Sequence, residues 1–268
     1  MNRRFGHSAA QLPVIALLCA AGSGIASADT IAPCDGDCTW SIAAGGVQVA
    51  SGDFEVDPTN GDIDMQPVKV GLGGGAWAQI NGISGNSDPN LGFSLSANTG
   101  TNARTFSFTF SLPIALSGLV SASSSVAYSL TSQTATGAQI SPLSAHVVTA
   151  QDVDTSVNGL PPLNKGVDVG DGFFFTGLGT KNSGAYTAEN ILTGNPAYDL
   201  MSVTLGFSLT RMSTVGVSGF VQQTLVDQSP VPLPATAWLL GSVLLLGWTC
   251  LGRRRSGLAA VNALINWT

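Results

Sequence analysis

Cys34 and Cys38 are the most closely spaced thiols in the chain, separated by Asp35, Gly36 and Asp37. Gly36 tolerates the positive φ of a tight bend, so the two sulfurs can close a small loop. Zinc would need more ligands than these two, and none is spaced nearby. A thioredoxin-like redox pair needs two intervening residues and a helix. An exported chain, which the N-terminal segment predicts, meets an oxidising compartment, so a structural disulfide is expected, with a stabilisation on the order of 2 kcal/mol. The acidic stretch Asp53–Asp64 is the second group able to do chemistry. Asp57, Asn60, Asp62 and Asp64 offer the hard oxygen ligands that suit Ca²⁺, and Gly61 permits a sharp turn among them. The spacing of an EF-hand is absent, and acids alternating along the wet face of a strand produce the same pattern. Asp152, Asp154 and Asn158 form a weaker second set. No other cofactor is expected.

Catalytic constellations are harder to find. His146 is the one histidine beyond the N-terminal segment, and a hydrolase triad would use it as base. No G-x-S-x-G motif accompanies it, and it stands beside Val147 and Val148 in a strand-like run. The two glutamates, Glu55 and Glu189, form no evident glycosidase pair, and no aspartate pair is singled out by its context. Gly71-Leu72-Gly73-Gly74-Gly75 lacks the Lys-Ser/Thr of a phosphate-cradling loop and reads as a loop or bulge. An enzyme is not expected. Trp40, Trp77 and Tyr186 are candidates for stacking on sugar rings, although aromatics more often belong to a core.

The composition agrees. Charged residues are only 10% of the 268, against about 25% in an ordinary soluble domain. Ten basic residues leave the chain at −6, so a nucleic-acid partner is excluded. Between Asp29 and Pro230 stand five bases, Lys69, Arg104, Lys165, Lys181 and Arg211, with all sixteen carboxylates of the chain. An acidic body of this kind repels phosphate backbones and stays soluble through self-repulsion.

Both ends read as targeting rather than fold. Residues 1–28 carry Arg3 and Arg4, an apolar run from Leu12 to Ala21, and small Ala26 and Ala28 before Asp29. This is the pattern of a signal peptide handled by the Sec translocon and cut by signal peptidase. At the other end, Ala235–Gly252 is uncharged over eighteen residues. As a helix it would cover about 27 Å, enough for a thin hydrocarbon core. Trp238 and Trp248 lie near its two ends, and Arg253, Arg254 and Arg255 follow as a cytoplasmic stop.

Just ahead of that segment stands Val231-Pro232-Leu233-Pro234-Ala235. Proline motif, apolar segment and arginine cluster, in this order, resemble the PEP-CTERM sorting tail in its VPLPA variant, over residues 230–255. The resemblance implies export across the inner membrane of a Gram-negative bacterium and transient single-pass retention. It further implies processing near the motif by an exosortase, and a final place at the cell surface or in an exopolysaccharide-rich biofilm matrix. The prolines would keep the membrane helix from running into the motif and leave an extended segment for a protease. Residues 256–268 depart from the family pattern, in which the chain ends soon after the arginines.

What remains, 29–229, is one domain in size. Thr105–Leu112 alternates polar and apolar residues without a fault until Pro113. Val120, Ala122, Val126, Tyr128 and Leu130 share one parity, as do Met201, Val203, Leu205, Phe207 and Leu209. Period two with one apolar face predicts half-buried strands, and Asn-Gly, Asp-Gly and Gly-Asn pairs supply turns. The expected fold is all-β, an antiparallel sandwich with jelly-roll-like winding. The expected function is that of a sorted structural protein of surface or matrix, with polysaccharide binding, in a Ca²⁺-dependent or Ca²⁺-independent form, as the alternative.

Overall fold

The computed structural model describes residues 38–57, 61–86, 89–114, 118–155, 161–194 and 198–226. Every regular element in them is a strand, and all pairings are antiparallel. In chain order these are β1 (Thr39–Ala44), β2 (Val47–Asp53), β3 (Glu55–Val56), β4 (Asp62–Asp64), β5 (Val68–Gly73) and β6 (Ala76–Asn86). Then come β7 (Asn90–Asn98), β8 (Arg104–Pro113), β9 (Gly118–Ser132), β10 (Ala138–Pro142) and β11 (Val148–Val153). The series closes with β12 (Leu163–Asn164), β13 (Phe173–Phe175), β14 (Gly179–Gly194), β15 (Leu200–Leu209) and β16 (Ser213–Leu225).

Two sheets result. The first runs β12-β11-β15-β8-β1-β2, with β10 also on β15 and β13 on β10. The second runs β14-β9-β16-β7-β6-β4-β3, with β5 on β6. Each sheet solves one strand's length by seating two short partners along it. β10 and β11 share one side of β15, and β4 and β5 share one side of β6. The β1–β2 and β5–β6 hairpins turn on Gly45-Gly46 and Gly74-Gly75, whose φ values of 61°, 78°, 62° and 79° suit the two-residue turns that match strand twist. The expected Gly71–Gly75 bulge is present, between Gly71 and Gly73.

The three alternating runs read from the sequence are β8, β9 and β15, with the expected parity inward. Phe106, Phe108, Phe110 and Leu112 of β8 face Met201, Val203, Leu205 and Phe207 of the neighbouring β15 in one apolar layer. Phe207 stacks near Phe106 and Phe108, with ring centroids 5.7 and 6.2 Å apart. The opposing layer comes from Leu91, Phe93 and Leu95 of β7 and from Val126 and Leu130 of β9. Together they form one sandwich core.

A strap closes the side of this sandwich where β11 ends one sheet. Residues 163–170 run antiparallel to β11, from Asp152↔Leu163 to Val148↔Val169. Lys165, Val167 and Val169 point inward in alternation and are all buried. The second sheet holds the strap from its own side. Asn190 Nδ2 donates to the Lys165 carbonyl at 2.6 Å, and Ser124 Oγ donates to the Val167 carbonyl.

Candidate functional site

Loops and the short strands β10 and β13 meet at the end of the sandwich beyond β15. The β15–β16 turn is fixed by its neighbours. Thr99 Oγ1 donates to the Thr210 carbonyl at 2.8 Å, Met212 N donates to the Gly100 carbonyl at 2.7 Å, and Gln133 N donates to the Met212 carbonyl at 3.0 Å. Met212 takes the left-handed conformation, φ 52°, which a side chain adopts only where surroundings impose it. Gln139 N donates to Thr210 Oγ1 at 3.0 Å and ties β10 to the same turn.

Between these elements lies a cleft of about 440 Å³ whose walls include Asn102, Gln139, Phe174, Phe175 and Arg211. A second cleft of about 560 Å³ adjoins it, lined by Arg104, Ser141, Ser208 and the shared Gln139 and Thr210. No carboxylate lines either of them. Arg104 and Arg211, two of the five bases in an acidic body, stand here, and neither makes an ion pair among the described residues. Phe174 presents a ring that is 70% exposed. The arrangement offers cations, amide donors and an apolar plate on a rigid frame. It can hold an acidic or polyhydroxylated ligand, and it presents no nucleophile paired with a base.

The acidic stretch lines a different cleft, of about 890 Å³, with Asp53, Glu55, Asp57 and Asp62 among its walls. It folds as the small β3–β4 hairpin, where Asp57 N donates to the Asp62 carbonyl at 2.8 Å and Gly61 N to the Asp57 carbonyl at 2.7 Å. Among the described residues no three ligating side chains converge on a metal position. Asn60 and the side chain of Asp64 lie outside the described residues. The second Ca²⁺ set changes character. Asp152 sits 2.7 Å from Lys165 Nζ and accepts from Gln223 Nε2, and Asn158 lies outside the described residues.

The expected aromatic platform is not assembled. Trp40 is core, 8% exposed, because it shares inward parity with Ile42 and Ala44. Its indole packs flat over Gly52, where an added Cβ would come within 3.0 Å of the ring. Tyr186 leans on Tyr128, with centroids 5.5 Å apart, and is half-buried. Trp77 remains accessible in part and carries Lys69 Nζ 4.4 Å above its ring. Tyr186 and Trp77 belong to β14 and β6, four strand spacings apart in one sheet, or about 19 Å. Phe174 is not legible as a surface ring in the sequence, because Phe173-Phe174-Phe175 reads as core.

His146 Nδ1 lies 3.5 Å from Asp171 Oδ1, with both side chains open to solvent. The adjacent Ser144 hydroxyl donates to the His146 carbonyl at 2.9 Å and so is not directed at the imidazole. Cys38 is buried at the head of β1. Its expected partner Cys34 lies outside the described residues, as do Ala26, Ala28, Val231–Ala235, Ala235–Gly252 and Arg253–Arg255. Among the described residues no helix is long and apolar enough to cross a membrane.

No family model and no curated protein matches the chain by sequence. Among solved structures it is similar to the enzymatically active domain of bacteriophage CBA120 tailspike protein 4, at 14% identity and a TM-score of 0.27, over 60% of this chain. The chain spans only 19% of that tailspike domain. It is also similar to TmCBM61 in complex with β-1,4-galactotriose, at 9% identity and a TM-score of 0.25, over 50% of this chain and 71% of the other.

Proposed function

We propose that this chain is an exported structural protein of the cell surface or extracellular matrix, delivered by an exosortase-type sorting tail. The tail carries the reading: Val231–Ala235, the uncharged Ala235–Gly252 and Arg253–Arg255 follow one another in the order such processing needs. In this reading the Sec translocon and signal peptidase act at the N-terminus. The body folds outside the inner membrane, and the exosortase cuts near the proline motif. The two-sheet body, with β7-β8-β9 and β14-β15-β16 each passing from one sheet to the other and back, supports a jelly-roll-like winding. The test is expression of the full chain with an epitope in the body, with and without the host's exosortase. Loss of the tail and release from the membrane only when the exosortase is present are expected. Identical size and retention in both strains would remove the sorting reading.

A second reading, polysaccharide binding, is favoured by the clefts that hold Arg104, Arg211 and Phe174. Guanidinium groups grip carboxylates in a bidentate fork, and an exposed ring stacks on the apolar face of a sugar. The polymer in this reading is acidic, and Ca²⁺ at the β3–β4 hairpin is at most an accessory. Affinity electrophoresis in gels cast with the host's own exopolysaccharide tests it. Retardation that Arg211→Ala and Phe174→Ala both reduce is expected, and equal migration with and without polymer would leave only the structural role.

A further inference from the structure

Lys165 is fully buried, at 0% exposure, and Asp152 is its one charged contact among the described residues. An ammonium has three donors to satisfy. Here Nζ stands 2.7 Å from Asp152 Oδ1 but meets no acceptor at hydrogen-bonding angles. A buried ion pair is favourable only when its geometry is good and its remaining protons are bonded. This pair is short and poorly aimed. The same Oδ1 also accepts from Gln223 Nε2 at 2.9 Å. One carboxylate oxygen thus touches both an amine and a carboxamide, and the three residues come from β11, the strap and β16. Burial lowers the Lys165 pKa to about 8 against the opposing pull of Asp152. More of this amine is neutral at physiological pH than of a surface lysine. An inward-pointing charge can also serve simply to blunt a sheet edge, but that role requires neither Asp152 nor Gln223.

We propose that Lys165 and Gln223 become joined by an intramolecular amide bond once the sandwich has folded, with Asp152 as the proton carrier. Asp152 takes a proton from the Lys165 ammonium. The neutral Nζ attacks Gln223 Cδ, forming the N–C bond and moving the carbonyl electron pair onto Oε1. Asp152 passes its proton to Nε2, the carbonyl re-forms and the Cδ–Nε2 bond breaks. The nitrogen leaves as ammonia and departs as ammonium with the last proton released from Nζ. Asp152 ends as the carboxylate it began as, and no oxidant, reductant or cofactor is consumed. Holding both nitrogens on one oxygen brings the amine and the carboxamide together in one buried site, and proximity of this kind favours such a condensation. The product removes the Lys165 charge, leaves the Asp152 carboxylate to accept from the new amide N–H, and ties the strap of one sheet to the last described strand of the other.

Peptide mapping of the full-length protein by mass spectrometry tests this, after folding has been verified by circular dichroism. The expected result is a branched peptide joining the Lys165 and Gln223 segments, lighter than its two parts by one ammonia, with no tryptic cleavage after Lys165. Lys165→Arg and Gln223→Leu should give only linear peptides of full mass, and Asp152→Asn should abolish or greatly reduce the link. Where a variant fails to fold, the mass of the wild-type protein still decides. Linear, unmodified Lys165 and Gln223 peptides from folded wild-type protein would overturn the proposal. So would a branch lighter by one water that joins Lys165 to Asp152.

Discussion

The strap's close fit against the second sheet can be tested at Gly170. Its φ is +93°, and a Cβ built there would lie 1.9 Å from Tyr128 Oη and 2.9 Å from Val126 Cγ1. Gly170→Ala therefore carries two penalties. Positive φ costs a side-chain-bearing residue about 1–2 kcal/mol, and crowding a packed interior adds about 1–3 kcal/mol. For a domain of this size each kcal/mol lowers the melting midpoint by about 2–4 °C, so a fall of about 4–20 °C is expected. Gly46→Ala is the control, since its φ is +78° but nothing lies within 4 Å of the added atom. It should lose only the backbone component, about 2–8 °C. Tyr128→Phe supplies the third arm. The Tyr128 hydroxyl is buried without a hydrogen-bond partner among the described residues. Burial, then Tyr186 and Asp171, push its pKa well above the ordinary tyrosine value, so it stays protonated throughout the assay. Removing a stranded hydroxyl should hold or raise the midpoint. In the double variant the nearest atoms become Val126 Cγ1 at 2.9 Å and the ring carbon at 3.2 Å, so much of the Gly170→Ala loss should be recovered. Thermal melts followed by circular dichroism read all four proteins. If Gly170→Ala melts with Gly46→Ala, and Tyr128→Phe leaves the difference unchanged, the strap does not pack on Tyr128 as described.

Phe207→Ala removes a fully buried ring between Phe106 and Phe108. Urea unfolding should show a loss of about 3–5 kcal/mol, and a loss under about 1 kcal/mol would place the core elsewhere. Asp199 is held below the ordinary carboxylate range chiefly by the Thr155 hydroxyl, 2.6 Å from Oδ2. A depressed carboxylate contributes stability that is present above its unfolded pKa and is lost as pH falls through its folded value. Thr155→Val should therefore raise the Asp199 pKa in a carbon-detected NMR titration, and an unmoved titration would show that the hydroxyl is not the cause. For the proposed Cys34–Cys38 bridge, the non-reduced peptide should be two protons lighter than the reduced one. Free thiols in freshly exported protein would defeat it.

The strands were legible where one residue in two is apolar over a long run. Thr105–Leu112 could only be β8, because no helix places four such residues on one face at that spacing. Trp40 was legible too, since Trp40, Ile42 and Ala44 share a parity, but aromatic rings invite a functional reading. Lys165 was not. Its parity with Val167 and Val169 marks it as inward, yet a lysine at an inward position is expected only where a partner waits. That partner, Asp152, and its neighbour Gln223 belong to strands brought together by the fold, not by the sequence. The arginine clefts were hidden for the same reason. Arg104 and Arg211 flank different turns, and only the pairing of β8 with β15, from Arg104↔Leu209 onward, sets them at one end.

The position of β16 links the fold to the proposed transient retention by the tail. It is the last described strand, and it lies inside its sheet, paired with β9 from Ser213↔Ser132 to Leu225↔Val120 and with β7 from Thr214↔Asn98 to Gln222↔Asn90. Before the proposed cut, while the tail still holds the protein at the membrane, pull would enter through this strand first. An edge strand loaded from its end has one ladder to lose and can peel away. β16 has two ladders, so extracting it means breaking both along most of its length. The strand also carries Gln223 inward, against Asp152 of the opposite sheet. Load entering through β16 would therefore reach the first sheet through that contact, two residues from the strand's C-terminal end. A covalent link at this position would spare the ladders beyond it, because pull arriving from the tail would be carried by the amide to the strap before it reached Gln222. The same bond placed near Ser213 would leave the whole of β16 exposed to the pull. The location of the Lys165, Asp152 and Gln223 group is thus the one that mechanical loading from the C-terminal side would favour.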